Sequence, residues 1–420
     1  MRQMAGYSYW TGRTTPVRQY PWLAVDERCE ILVIGGGATG ALLGYRFAED
    51  GNDVCLLTKL PVGYGVTAFG SGILEYDSNL SLVQLGKSIG RGEAVDCLRR
   101  YRDALDSVEA LCLNLEPEVD FRRRDILSYT SDENHGDFFN IEYLIRRHNS
   151  FEVEYLDRAA TRDRYSFPIE DGILSERLGA EIDPYRFTQS LVDRAVKKYG
   201  MRCYENTEVV SIGRSNGKIA AKTATGQTIC ADKLIFAAGL EQSDYIKCYT
   251  GRRTAFTVVT EPISRFVGYE SRVLVRNDDG SGFHLRTTPD NRLLITGSDS
   301  LFPEPADRRF SKLTGYERIA ESRYERLTKR LREMFCGIER IVPAYCYAVR
   351  YGYTADLLPV IGETPDYENV YFCMESGSEN ILTAEIAADL LMRKYHGEAM
   401  GITTFSPSRK SLVKRFAFME

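Results

Sequence analysis

The sequence has little of what metal, dithiol or nucleic-acid chemistry needs. It has only four histidines (His135, His148, His284, His396), and no two stand at metal-ligand spacing. Ten cysteines are present, but none form a Cys-x-x-Cys pair, so neither zinc nor thioredoxin-like chemistry is indicated and no metal is expected. A basic surplus is also missing: 54 Lys and Arg stand against 59 Asp and Glu, for a net charge of −5. Binding to a phosphate backbone needs the opposite balance, which excludes nucleic acid as the main partner. Short basic runs such as Arg122 to Arg124, Arg146-Arg147 and Arg252-Arg253 have acidic neighbours and read as solvated surface.

Long apolar runs are absent too. The longest nearly apolar stretch, residues 31–44, is too short to span a bilayer and is interrupted by glycines. Residues 1–10 lack the apolar core of a secretion signal, so a cytoplasmic location is expected. Cysteines such as Cys55, inside an apolar run, then read as buried thiols in a reducing compartment. No internal repeat or low-complexity linker appears. At roughly 150 residues per domain, 420 residues suggest two or three domains.

What is present begins at residue 30. Glu30-Ile31-Leu32-Val33-Ile34 is a β-branched apolar run of the kind a buried parallel strand shows. Gly35-Gly36-Gly37-Ala38-Thr39-Gly40 follows, then a helix-like segment to residue 50 and a second strand at residues 53–57. This is a β-α-β unit with G-x-G-x-x-G at its first turn. Gly35 permits the tight turn, Gly37 lets a pyrophosphate approach the backbone, and Gly40 lets helix and strand pack closely. Ala38 and Thr39 open the helix, whose free N–H groups and positive dipole end favour phosphate. Replacing Gly37 with Val is expected to abolish dinucleotide binding.

One position departs from the pattern. The carboxylate that should hold the ribose hydroxyls at the end of the second strand is missing; Thr58 and Lys59 stand there instead. Thr58 is a weaker hydroxyl partner, and Lys59 leaves a 2′-phosphate, and so NADP, open. A glycine-rich polar loop follows, with Gly65, Thr67, Ser71 and Gly72, where a nicotinamide enzyme would continue with a helix.

With these segments the chain resembles the D-amino acid oxidase, glycine oxidase and sarcosine oxidase superfamily of FAD-dependent oxidoreductases. Its opening, Ser8-Tyr9-Trp10 and Tyr20-Pro21-Trp22-Leu23, is similar to γ-glutamylputrescine-oxidase-like members. Gly65-Val66-Thr67-Ala68 matches the loop beneath the flavin, and Glu181-Ile182-Asp183-Pro184 the return to the FAD domain. Ala237-Ala238-Gly239 matches the turn that meets FAD again, and Phe283-His284-Leu285-Arg286 a hairpin of the substrate domain. Most specific is T-x-D-x-x-P-x-I-G at Thr354, Asp356, Pro359, Ile361 and Gly362. The family's glycine-rich turn before the last helix reads Gly377-Ser378-Glu379-Asn380-Ile381 here, with two glycines lost and a carboxylate gained.

The resemblance implies an α/β fold with an α+β second domain: a Rossmann-like FAD-binding domain and a mixed β-sheet substrate domain. The FAD domain would be discontinuous (1–85, 180–250, 350–420) and the substrate domain would comprise 86–179 and 251–349. It implies oxidation of a small amine or amino acid at the C–N bond, with O2 or another acceptor reoxidising FAD. FAD is expected to be non-covalent, because Val349 holds the position of the sarcosine oxidases' tethering cysteine. The cofactor residues implied are Gly35, Gly37, Ala38, Thr39, Gly40, Thr58, Lys59, Gly65, Thr67, Gly72, Ala238, Gly239, Gly362, Gly377, Asn380 and Ile381. Arg350 and Arg286 are the candidate anion ligands, with Tyr351 and Tyr353 lining the site. Arg350 is one residue out of register with the glycine oxidase arginine, whose place Tyr351 takes. Two other readings remain: an NAD(P) enzyme, and a relative that keeps the fold without turnover.

Overall fold

The computed structural model describes residues 4–77, 80–239, 250–278, 282–298, 313–376 and 380–412. Gly377 and the rest of the 377–379 turn lie outside them, so the expectations placed on that turn are not addressed by the fold.

Two mixed sheets organise these residues. In the smaller, the apolar strands Val370–Met374, Thr228–Phe236, Glu27–Ile34, Val54–Leu57 and Arg202–Tyr204 run parallel in that order. Val360–Gly362 adds an antiparallel edge, and a hairpin of Val209–Ser215 and Lys218–Thr223 pairs onto Thr228–Phe236. Parallel strands covered on both faces need continuous apolar sequence. Leu32, Val33, Cys55 and Leu56 accordingly have no exposed surface. The Ala38–Glu49, Pro184–Tyr199 and Asn380–Tyr395 helices pack over this sheet, burying Leu42, Leu191 and Leu390 in one core.

The larger sheet runs Met4–Gly6, Pro343–Thr354, Thr250–Thr260, Leu293–Ser298, Phe283–Thr287, Leu274–Asn277, Arg122–Thr130, Asp171–Glu181 and Ile73–Glu75. Strand alternation gives it two unlike faces. One carries Phe256, Ala348, Leu285, Ile295 and Val275, and is covered by the Leu313–Met334 helix through Leu331 and Met334. The other carries Arg253, Ala255, Tyr351, His284 and Thr296. It looks toward the smaller sheet.

The T-x-D motif joins the two parts by a buried turn. Thr354 Oγ1 donates to the Leu358 carbonyl at 2.6 Å. Asp356, with no exposed surface, receives Nε and Nη2 of Arg409 at 2.7 and 2.8 Å and Ser411 Oγ at 2.6 Å. Between them Leu357 takes a left-handed φ of 60°. Such strain in a non-glycine residue persists only where the surroundings over-determine it, and here those surroundings are Asp356, Arg409 and Thr354.

Candidate active site

The carboxyl ends of the smaller sheet's strands border one cavity, and one face of the larger sheet borders another. The first, about 550 Å³, is lined by Gly35, Gly36, Gly37, Ala38, Thr39, Thr58, Lys59, Gly65, Thr67, Ala238 and Gly239, with Glu208 at one end and Glu375 at the other. Its walls are mostly backbone. A Cβ on Gly35 would stand 2.2 Å from the Ala237 carbonyl oxygen, and one on Gly40 1.8 Å from that of Gly35. Those two glycines hold strand, helix and return turn together. Gly37 differs: its Cβ would meet only Thr67 Oγ1, at 3.2 Å, and a Cβ on Gly65 or Gly239 would meet nothing within 4 Å. These edges face open space, which suits a group held against bare backbone. Gly37 also caps the Ala38–Glu49 helix without a side-chain bond, so the helix end is open to the cavity; the Ala38 N–H alone is taken, by Thr67 Oγ1 at 3.0 Å. A glycine-lined cavity at a helix N-terminus, on the carboxyl side of parallel strands, fits a dinucleotide pyrophosphate.

The second cavity, about 460 Å³, is walled by side chains: Arg253, Ala255, His284, Thr296 and Tyr351 of the larger sheet, Leu357 of the T-x-D turn, and Gln84, His135 and Phe139 opposite. Val66, of the first cavity, packs on the cluster that holds Tyr351. The charges here are unequal. Arg276 is bound by Asp278 at 3.1 Å, with Asp77 at 3.5 Å and Glu75 at 3.9 Å; burial opposes its charge, but these carboxylates outweigh burial and hold its pKa above normal. His284 Nε2 lies 3.7 Å from Glu75 Oε2. Arg253 sits 4.4 Å from the centre of the Tyr353 ring, and among the described residues no carboxylate pairs with it.

Several expected site residues stand elsewhere. Arg350 pairs with Thr254 in the strand row of Ala348 and Phe256, on the helix-covered face opposite Tyr351, and is absent from both cavity walls. Its one-residue offset has the consequence that alternation dictates. Arg286 is wholly buried and donates through Nη1 to the carbonyls of Gly72 at 2.5 Å and Ile182 at 2.9 Å, with its guanidinium 5.3 Å from the Trp10 ring centre. It clasps backbone and lines neither cavity. Gly72 belongs to that clasp, since a Cβ there would stand 2.3 Å from the Ile182 carbonyl oxygen. Gly362 packs against Pro407, and Ile381 is buried in the core; neither lines the first cavity. Asn380 begins the last helix. Sequence reasoning missed Arg253, read as surface, and Glu208. Period-two alternation from Ala255 and Thr257 was the available signal for Arg253.

The fold and the first cavity are those of a dinucleotide-binding protein, with a second, side-chain-walled cavity beside the first. Comparison with known proteins makes this specific. The chain belongs to the DAO family, described as FAD dependent oxidoreductase, whose model matches residues 30–393. It is 20% identical over 406 residues to gamma-glutamylputrescine oxidoreductase of Escherichia coli (strain K12), covering 95% of this chain and 91% of that one. The crystal structure of glycine oxidase from Geobacillus kaustophilus superposes with a TM-score of 0.74 at 18% identity, covering 92% of this chain and 98% of that one. L-amino acid deaminase from Proteus vulgaris superposes with a TM-score of 0.74 at 13% identity, covering 93% and 99%. The protein is an FAD-dependent oxidoreductase.

Proposed function

We propose that the protein oxidises a small amine or amino acid at its C–N bond, with the substrate in the second cavity and FAD in the first. The observation that carries this reading is the pairing of a backbone-walled cavity with a side-chain-walled one, linked where Val66 of the first packs on the cluster of Tyr351 of the second. FAD, when bound, supplies the acceptor for the hydride that leaves the carbon next to nitrogen. The chain's own task is positioning. Gly37, Ala38, Thr39, Gly65 and Thr67 hold the cofactor, together with Ala238 and Gly239. Arg253 takes the anchoring role expected of Arg350 or Arg286, and receives a carboxylate or other anionic end of the substrate. Tyr351 and Tyr353 fix that end, Tyr353 by stacking on the guanidinium. Leu357 and Phe139 give the chamber part of its apolar lining.

FAD is held without a covalent bond in this reading. The described thiol in the first cavity wall, Cys373, is fully buried, and burial pushes its pKa well up, which makes it a poor nucleophile. The two-part division of the chain belongs to the same proposal, with adjustments at its borders. Strands Met4–Gly6 and Ile73–Glu75 pair into the larger sheet although they fall within 1–85, and so does the end of Pro343–Thr354 although 350–354 falls within 350–420.

The test is the visible spectrum of the purified protein, before and after amines and amino acids are added without oxygen. Bleaching of flavin bands by one of them supports oxidation at carbon next to nitrogen. Flavin bands that no amine or amino acid bleaches would favour a relative that keeps FAD without this turnover.

A further inference from the structure

The Val54–Leu57 strand ends without the carboxylate that a dinucleotide fold uses for the adenosine ribose. Thr58 cannot replace it. Its hydroxyl donates to the Leu60 carbonyl at 2.9 Å, which leaves only acceptor capacity on one oxygen. A ribose diol offers two O–H donors side by side, and a carboxylate accepts both. The same end of the cavity does hold a carboxylate, brought by another segment. The Thr58 N–H donates to the Tyr204 carbonyl at 2.9 Å, and the Thr207 N–H to the Thr58 carbonyl at 2.9 Å. This zipper lays residues 204–208 against the strand end. The Glu208 carbonyl is fixed in turn by the Ala224 N–H at 2.8 Å.

We propose that Glu208 is the ribose carboxylate of this chain, and that Lys59 is its positioning residue. This rests on the assignment of the first cavity to FAD. Lys59 Nζ lies 2.6 Å from Glu208 Oε1, and both residues line the cavity beside Thr58. The lysine thus holds the carboxylate at the cavity mouth and does not mark a 2′-phosphate site, because its charge is already paired. Two other carboxylates are excluded by position. Glu205 is buried, with Oε1 receiving the Val62 N–H at 2.7 Å and Oε2 the Tyr20 N–H at 3.0 Å. Glu375 lines the cavity near Cys373, away from Thr58. Next to Glu208, Val209, Val210 and Ile212 give the cavity an apolar rim, with Val210 exposed, which suits the flat face of an adenine.

The experiment is displacement of FAD from the holoprotein, followed by the fluorescence of released FAD, with ADP, 2′-deoxy-ADP and 3′-deoxy-ADP as competitors. Wild-type protein should prefer ADP over at least one deoxy analogue by about tenfold, the worth of a hydrogen bond to a charged group. Glu208→Gln should weaken ADP by about tenfold, leave that deoxy analogue unchanged, and so erase the preference. Lys59→Met should lower the preference by about threefold. Glu208 is half-exposed, so neither change endangers the fold. An ADP preference that survives Glu208→Gln, or equal weakening of ADP and both analogues, overturns the role of Glu208 and leaves the FAD assignment standing. Failure of the wild-type protein to hold FAD overturns the assignment of the cavity, and this inference with it.

Discussion

The two cavities are built from different materials. The first is a backbone site: its shape follows from glycines at 35, 36, 37, 40, 65 and 239 and from one helix end. The second is a side-chain site, where Arg253, His284, Tyr351 and Leu357 arrive from three strands and a turn far apart in the chain. A backbone site needs particular residues at fixed local spacing. A side-chain site needs only that some strand present some residue at the right register. The first kind therefore leaves a motif in the sequence, and the second does not.

The T-x-D turn gives Leu357 to the second cavity and links the Pro343–Thr354 strand of the larger sheet to the Val360–Gly362 strand of the smaller, so breaking it should give the largest effect. Asp356→Ala leaves the Arg409 guanidinium buried without its carboxylate, which costs about 3–5 kcal/mol. Urea unfolding should show that loss, together with lower flavin content. The pH dependence has a definite sign. Burial alone would raise the Asp356 pKa, but hydrogen bonds and charge from Arg409 outweigh it and hold the group below normal. Its stabilisation is thus complete above the unfolded value of about 3.9 and is lost as pH falls through the lower folded value. Wild-type protein should lose this contribution below about pH 4, and the variant should lack that part of the slope.

Within the first cavity, two glycines sharpen the comparison. Gly40→Ala puts a Cβ 1.8 Å from the Gly35 carbonyl oxygen, so the fold itself should lose about 3 kcal/mol, read by urea unfolding of FAD-free protein. Gly37→Val meets only a movable hydroxyl at 3.2 Å. It should leave the urea midpoint of FAD-free protein near wild type, while FAD affinity falls about a hundredfold or more, some 3 kcal/mol. Equal unfolding penalties for the two variants would show that Gly37 is a packing glycine as well, and would remove it from the cofactor site.

These cases show what was legible. The β-α-β unit could be read because Gly35, Gly37 and Gly40 each answer a local steric demand. The general α/β architecture followed from a buried apolar strand before them and a helix after. Not legible was what each long-range register decides. Gly72 and Gly362 have positive φ, as a cofactor loop would demand, yet their neighbours are Ile182 and Pro407. Composition does not distinguish a glycine beside a ligand from one beside another chain segment. Likewise Arg286 carries the charge of an anion ligand, but its strand position turns it inward, where its N–H groups donate to backbone carbonyls. Burial and the wholly internal partners were invisible before the sheet order was known.

The second cavity predicts a smaller, more selective effect. Arg253→Met should raise KM for a carboxylated substrate by about ten- to a hundredfold with kcat largely kept, because ground-state and transition-state binding lose the same ion pair. Arg253→Lys should recover part of the loss. Steady-state kinetics on the substrate found by flavin bleaching provides the check. A fall in kcat with KM unchanged would place Arg253 outside the anchoring role.

The smallest effect is expected from the neighbouring strand, at Arg350. Its sequence position next to Tyr351 makes it look like part of the site, and a charge-based reading would choose it first. The register places it otherwise: Tyr351 lies across from Arg253 and faces the chamber, while Arg350 lies across from Thr254 on the row of Ala348, whose neighbour Phe256 packs on the Leu313–Met334 helix. The sheet separates Arg350 from the second cavity, so on the proposed reading screening and distance leave little direct coupling to substrate. Arg350→Ala should change kcat/KM by less than about threefold, against the ten- to a hundredfold of Arg253→Met. Measured on the same substrate at the same ionic strength, the pair isolates register from charge. If Arg350→Ala matched Arg253→Met in size, the strand would have to sit one residue out of its present pairing, which would also turn Tyr351 away from the chamber and Ala348 toward it.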